Sequence, residues 1–435
     1  MWVAIKSAWA LLVGIGFIML GNGLQGTLLG VRASSEDFGD ATTGIIMSGY
    51  YVGFFLGSII VPKFVSRVGH IRVFAALATI ASSTVLIHAV FVDPVPWVLM
   101  RIVTGFAYAG LYIVAESWLN EVATNKTRGT LLSIYMVVSM GAVGAGQFML
   151  VLSDPDGFVL FILVSVIVSC SLVPLAISTS RAPGFDKPSR ISLREIFDAC
   201  PTGVLVSFLN GLGFGAIFSI GAVYARAIGF SLGETSVFMA ASFIAPVFVL
   251  WPIGALSDRL DRRLVIFGIA VISAAAAGAV ALLTAEASFI WLVIAFGTLG
   301  AFSTPIYSLC IAYTNDYLEY EQMVAASAKL VLVNGLGAVA GPVTVATAMS
   351  WYGDAAFGWT LGAIYGAIAL FVAYRMTVRS SLPAEDQTSY VAVSPRGSMV
   401  AAIMTADEME ETGSDNTDTD KAGTGEGQIK ISETA

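Results

Sequence analysis

Twelve stretches of this chain are apolar over about 20 residues each, the length a helix needs to cross the hydrocarbon of a bilayer, and they recur from end to end. They lie at residues 8–30, 41–63, 73–92, 95–119, 129–152 and 157–179, and then at 202–225, 235–257, 264–284, 288–313, 325–349 and 355–376. Strands of a membrane barrel would need only about 10 residues with strict alternation of apolar and polar side chains, and no such alternation is present. Composition agrees: 57% of the 435 residues are hydrophobic and 12% are charged, against about 25% charged in an ordinary globule. A chain this poor in charge cannot cover a water-facing surface. The expected fold class is an all-α membrane protein.

The net charge of −8 says little about partners, because residues 379–435 hold eleven acids and four bases and leave the rest nearly neutral. No basic face of the kind that binds nucleic acid is present. Cys170, Cys200 and Cys310 are scattered through or beside apolar stretches and suggest neither a metal site nor a disulfide framework. At the N-terminus Lys6 precedes an apolar run that continues to about Gly30. A cleavable signal has an apolar core of roughly 7–15 residues, so this run reads as a retained first span.

Basic residues sort the loops into two classes. Lys63, Arg67 and Arg72 follow span 2, Lys126 and Arg128 follow span 4, and Arg259, Arg262 and Arg263 follow span 8. Arg181, Lys187, Arg190 and Arg194 lie between spans 6 and 7, and Arg375 and Arg379 end span 12, whereas the opposite loops hold little beyond Arg32 and Arg226. Positive charge stays on the cytoplasmic side, so both termini are expected there. Four regions follow: a six-helix bundle at 1–180, a cytoplasmic linker at 181–200, a second bundle at 201–378 and an acidic tail at 379–435. The tail is rich in Ser, Thr, Gly, Asp and Glu, cannot bury enough apolar surface to offset its ordering entropy, and is expected to be disordered.

The two bundles carry a repeat. Tyr112, Asn120 and Glu121 in and after span 4 recur as Tyr307, Asn315 and Asp316, each 195 residues later. Asn22-Gly23-Leu24 in span 1 matches Asn210-Gly211-Leu212 in span 7, and Gly141-Ala142-Val143 in span 5 matches Gly337-Ala338-Val339 in span 11. Matches in the same order at similar offsets indicate duplication of a six-helix unit.

Gly254-Ala255-Leu256-Ser257-Asp258-Arg259 with Arg262 and Arg263 resembles the loop motif of the major facilitator superfamily, and Arg101 with Gly105 resembles its fourth-helix motif. Glu116-Ser117-Trp118-Leu119-Asn120-Glu121, with Arg128-Gly129, Ser133-Ile134-Tyr135, Asn315-Asp316 and Ala325-Ala326-Ser327-Ala328, resembles its poorly characterised YcaD-like branch. The resemblance covers residues 5–378. The first-half loop departs from it, with Pro62-Lys63 where an Asp is usual, and Asp261 stands where a Gly is usual. The resemblance implies a major facilitator fold of two pseudo-symmetric bundles in a bacterial inner membrane, with a solute site between the halves and alternating access.

Polar residues inside spans are costly and turn inward. Arg101, Gly105, Tyr108, Tyr112 and Glu116 fall on one helical stripe of span 4. Arg101 and Glu116 are about 22 Å apart along a helix, so they cannot pair. Each suits a structural role as well as a functional one. The sharper expectation makes Glu116 a protonatable coupling group. Asn22, Gln25, Gln147, Asn210 and Asn334, with Tyr307, form a candidate ring in spans 1, 5, 7, 10 and 11, or else serve as interhelical glue. The absence of charge at mid-depth in spans 1, 5, 7 and 11 favours a neutral or polyhydroxyl solute. On the cytoplasmic side, Lys63, Arg67 and Arg72 are expected to face Asp316, Glu319 and Glu321 across the halves, and Asp258 to face Lys126 and Arg128. Such pairs would latch that side.

Gly335, Gly337 and Gly341 lie inside a span with no preceding strand, so they suit close helix packing and not a nucleotide loop. Asn125-Lys126-Thr127 has the form of a glycosylation sequon on the cytoplasmic side. His70 and His88 are solitary and suggest no metal. Secondary transport of a small solute by a monomer without cofactor, with a proton as candidate coupling ion, is therefore expected, and an enzyme is not. A transporter-like sensor without turnover is the alternative, favoured only by the tail.

Overall fold

Hydrocarbon offers a backbone no hydrogen-bond partners, so each crossing segment must satisfy its own N–H and C=O groups, and a helix does this within one segment. The computed structural model describes residues 2–122, 127–177, 191–283, 288–379, 387 and 390. Its helices are α1 (Trp2–Ser35), α2 (Asp40–Val68), α3 (His70–Val90), α4 (Pro94–Val122), α5 (Arg128–Gln147), α6 (Val159–Cys170) and α7 (Leu172–Ile177) in the first half. A short α8 (Leu193–Ala199) leads to α9 (Pro201–Ala227), α10 (Leu232–Ser257), α11 (Arg262–Leu282), α12 (Phe289–Asn315), α13 (Tyr320–Tyr352) and α14 (Ala356–Val378). Among the described residues there is no strand. Twelve helical segments are long and apolar enough to cross a membrane. The sixth is broken at Ser171 between α6 and α7. Pro174, three residues on, has no N–H for the Cys170 carbonyl, and its ring crowds that carbonyl.

Much of the linker, residues 181–190, lies outside the described residues, as does the tail apart from Arg379, Gln387 and Tyr390. The expectation of a disordered tail falls there. The end of the linker is ordered into α8. Ser192 accepts from the Glu195 N–H, and the Glu195 carboxylate accepts from the Ser192 N–H, a reciprocal cap on the helix start.

The duplication is legible in the packing. In the first half α1 packs on α5 and α6, α2 on α4, and α3 on α4 and α6. In the second, α9 packs on α13 and α14, α10 on α12, and α11 on α12 and α14. The halves meet where α2 lies along α13, α5 along α10, and α1 along α9. On the face away from the basic loops, Ser48 Oγ donates to the Val339 carbonyl across this seam at 2.7 Å. Large apolar side chains such as Phe248, Trp251 and Leu370 are exposed at 73%, 80% and 75%. Arg101, Glu116, Gln147 and Asn210 are at most 3% exposed. A water-soluble protein reverses that arrangement. Here the apolar shell faces lipid.

Small residues set how closely the helices cross. A Cβ on Gly105 of α4 would fall on the Tyr50 carbonyl of α2, and one on Gly300 of α12, its repeat counterpart, would meet the Ser242 carbonyl of α10 at 2.5 Å. Gly337 and Gly341 play the same part between α13 and α9, against backbone at Phe208 and Leu212. Lipid tails are as apolar as leucine, so van der Waals contact at such crossings is a main attraction between helices. Gly105→Ala is therefore expected to cost about 1–3 kcal/mol through overpacking, read as a lower thermal midpoint of the purified protein in detergent. Gly268→Ala is the control, because a Cβ there meets nothing within 4 Å, and its midpoint should stay near the wild type.

Candidate functional site

The polar residues of the first half converge on the seam. Asn22 of α1 donates its side-chain N–H groups to the hydroxyls of Tyr50 on α2, at 3.1 Å, and Tyr112 on α4, at 2.5 Å. The guanidinium carbon of Arg101 lies 4.7 Å from the centre of the Tyr50 ring. Gln147, at the end of α5, donates to the Gly23 and Val143 carbonyls at 3.0 and 3.1 Å and accepts from the Thr27 hydroxyl. These side chains wall a narrow chamber of about 20 Å³, room for about one water, closed from the second half by Phe218 and Ser219 of α9 and Phe243 of α10. A second space of about 20 Å³ shares Tyr50 and Tyr51 and runs between Phe54 and Asn334. A third, of about 10 Å³, lies against Met19, Met140 and the Phe218–Phe243 pair.

Every polar member of the α4 stripe is buried: Arg101 at 3%, Tyr108 and Tyr112 at 0% and Glu116 at 1%. The stripe serves two places. Arg101 lies in the chamber wall. Glu116, about four turns further along by the helical period, accepts a hydrogen bond from the Tyr135 hydroxyl of α5 at 2.6 Å. Tyr307 of α12 is within electrostatic reach of Glu116 from the other half. At an effective dielectric near 20, a unit charge about 4 Å from a guanidinium interacts with it by about 4 kcal/mol. Arg101 therefore dominates the electrostatics of the chamber.

The remaining candidates are buried but separate. Both polar atoms of the Gln25 and Asn210 amides, and the hydroxyls of Tyr108 and Tyr307, have no hydrogen-bond partner among the described residues. Buried polar groups are nearly always satisfied, so these are places for water or a ligand to bind. Asn210 is the repeat partner of Asn22 but lacks its two tyrosines. Asn334 lines the second space. Thr27, Tyr50, Tyr135, Phe218 and Phe243 belong to the site but were not among the candidates read from sequence. Tyr135 stands in the Ser133-Ile134-Tyr135 stretch that carries the family resemblance, and the others have only their position, since an aromatic or a threonine in a span looks like any other.

The chain matches the Major Facilitator Superfamily over residues 11–197 and 203–403. It belongs to that superfamily. An uncharacterized MFS-type transporter of Enterobacter sp. (strain 638) is 26% identical over 350 residues, covering 79% of this chain and 89% of the relative. The uncharacterized MFS-type transporter YcaD of Escherichia coli O45:K1 (strain S88 / ExPEC) is 24% identical over 347 residues, with the same coverage of 79% and 89%. Among solved structures, a D-xylose-proton symporter superposes with a TM-score of 0.67 at 14% identity, covering 89% of this chain and 100% of its own. That likeness supports the fold.

On the basic face of this facilitator, the charges whose pairing is described pair within the second half. Arg262, 1% exposed at the start of α11, meets Asp316 at the end of α12 at 3.4 Å and Asp258 at 3.6 Å. Asp258 also accepts the Tyr390 N–H at 2.8 Å. Burial raises the Asp258 carboxyl above the ordinary carboxylate range, and the Tyr390 N–H and Arg262 oppose that rise. Asp261 caps α11 and holds the Arg263 guanidinium at 2.7 Å, while Arg263 also donates to the Arg379 carbonyl at 2.7 Å. Asp258 thus pairs within its own half. The reason is proximity, because a four-residue turn sets a buried guanidinium beside two carboxylates, and a buried charge needs its partner close. Lys63, Arg67, Arg72, Arg259 and Glu319 are exposed and make no ion pair among the described residues. Lys126 lies outside the described residues, together with the side chains of Arg128 and Glu321.

Exposure separates the two acids on Arg262, with the Asp316 side chain 2% exposed and that of Asp258 39%. Asp316→Asn is expected to lower stability by about 3–5 kcal/mol by leaving a buried charge poorly compensated. Asp258→Asn should lower it by about 1 kcal/mol or less. Thermal unfolding of the two variants in detergent measures the difference, and equal losses would refute the ranking.

Proposed function

We propose that this chain is a secondary active transporter that carries a small solute by alternating access and couples the movement to protons through Glu116. The basic face is cytoplasmic in this reading, with both termini on it, in the bacterial inner membrane. The observation that carries the proposal is the setting of Glu116. It is a carboxylate 1% exposed, bonded to Tyr135 and within reach of Tyr307 in the opposite half.

An ionised carboxylate in a dry interior is expensive unless it is hydrogen-bonded or protonated. When the halves rock together, Glu116 is screened from water and the protonated form gains. When they part, water returns and the proton can leave. A proton thus tracks the conformational change without needing any other titratable group in α4. The facilitator fold of the superfamily supplies the rocking, and the seam supplies its contact. The Ser48–Val339 hydrogen bond is one that must break for the opposite face to open. The D-xylose-proton symporter of the same fold is proton-coupled by its name, which makes coupling chemically reasonable on this scaffold.

The test is flux in reconstituted vesicles with and without an imposed pH gradient, across a panel of sugars, nucleosides and organic acids. The wild type should accumulate its solute only with the gradient. Glu116→Gln should abolish gradient-driven accumulation while leaving solute exchange at equal pH. An unchanged pH dependence in that variant would remove Glu116 from the mechanism.

A further inference from the structure

We infer that the acidic tail is an autoinhibitory strap, in which Tyr390 plugs a notch at the basic-face end of α10 and keeps the first half from closing over that face. The inference rests on the alternating-access reading above and adds a regulator to it. Tyr390 belongs to the tail, yet it packs against the core of the second half, and its hydroxyl oxygen is buried. The notch exists because residue 254 is a glycine. A Cβ there would fall 2.3 Å from the Tyr390 ring, and the three nearest atoms it would meet all belong to that ring. Ser308 of α12 lies beside the far end of the ring, so the plug sits between α10 and α12.

Hydrogen bonds hold the segment to one loop at two points. The Tyr390 N–H donates to Asp258 at 2.8 Å, one turn beyond the glycine. Where the tail leaves α14, the Arg379 carbonyl accepts from Arg263 at 2.7 Å. The Arg379 guanidinium donates to the Ala199 carbonyl at 2.9 Å and lies 3.9 Å from the centre of the Tyr317 ring. The side-chain oxygen of Gln387 is buried as well. The tail thus departs beside the start of α11 and returns to the end of α10. Plug and notch share one chain, so their effective concentration is in the millimolar range, and a modest contact is enough to keep the notch filled.

Position decides what the plug does. α10 is a seam helix, lying along α5 of the first half. Ser308 follows Tyr307, which is within electrostatic reach of Glu116 in the first half. The plug is therefore seated beside the surface where the halves meet. Crossings of the seam at Gly44 and Gly144 lie toward the other face, where an added Cβ would fall 2.6 Å from Ala346 of α13 and from Ile244 of α10 respectively. The Ser48–Val339 bond lies there too. Closing the basic face brings the basic-face ends of α5 and α10 together, and a bulky ring on α10 stands in the way. A group that binds one conformation better than the other shifts the balance by that difference.

Two variants release the plug from opposite sides: Tyr390→Ala removes the ring, and Gly254→Ala fills the notch. Tyr390→Phe keeps both the ring and the N–H and is the control. Each is made in the full-length protein in nanodiscs with spin labels at Val68→Cys and Leu260→Cys, exposed positions on the basic face of the two halves. Cys170→Ser completes the background, since Cys200 and Cys310 are buried. Double electron–electron resonance reads the distance between labels, and hydrogen exchange reads the Tyr390 amide. The wild type is expected to protect that amide and to favour the long distance. Tyr390→Ala and Gly254→Ala should each raise the short-distance fraction about threefold or more, Gly254→Ala should also unprotect the amide, and Tyr390→Phe should match the wild type. An unprotected amide in the wild type, a shift toward the long distance, or two distances whose proportions neither variant moves overturns the strap while alternating access stands. A single distance common to every form removes alternating access, and the strap with it.

Discussion

Helices in hydrocarbon gain nothing by hiding apolar side chains from one another, because the surrounding lipid is equally apolar. What holds this molecule together is backbone-to-backbone contact at glycines and polar groups that find partners across helices. Gly105 on Tyr50 and Gly300 on Ser242 set the crossings of α2 with α4 and α10 with α12. Everything in the site follows from the first of these. The close crossing sets Tyr50 over Arg101, and Tyr50 and Tyr112 then share Asn22.

Duplication supplied the frame, and divergence supplied the chemistry. The packing partners of α1–α6 are repeated in α9–α14, yet Asn22 and its repeat Asn210 no longer do the same work. One is bonded to two tyrosines, while the other has no hydrogen-bond partner among the described residues. The first half contributes the guanidinium and the carboxylate of α4. The second contributes the aromatic wall of Phe214, Phe218 and Phe243 and, at the loops, the ion pairs around Arg262. The chamber is therefore polar on one side and apolar on the other. That asymmetry is useful to a protein that must both orient a solute and let it go.

The spans were readable from hydropathy because a crossing helix must be long and apolar. Their ends were less so: α1 runs to Ser35 and α2 to Val68, beyond the apolar stretches that end near Gly30 and Lys63. A helix continues past the hydrocarbon for as long as its own hydrogen bonds are made, and charge marks the edge of the membrane, not of the helix. In the site, the α4 stripe was legible because polar residues at helical spacing must face inward. Tyr135, the partner of Glu116, sits in a different helix, and no periodicity within one helix names a residue in another. The pairing of loop charges has the same limit. Opposite signs in pseudo-symmetric loops suggested pairing between halves, while the short turn from Asp258 to Arg262 placed a nearer partner within one.

That local pairing divides how the charges of one face respond to their surroundings. At physiological ionic strength mobile ions screen exposed charges over about 8 Å, and buried pairs much less. Arg262 and Asp316 are 1% and 2% exposed, so added salt or a change of lipid headgroup barely reaches them. Lys63, Arg67 and Arg72 are exposed on the same face, where anionic headgroups attract basic side chains at about 1 kcal/mol each. These exposed bases, with Arg259 of the second half, are thereby tethered to the composition of the membrane leaflet, and the buried pair is insulated from it. A change in lipid charge would act on the loop side chains and leave the Arg262–Asp316 pair as it was.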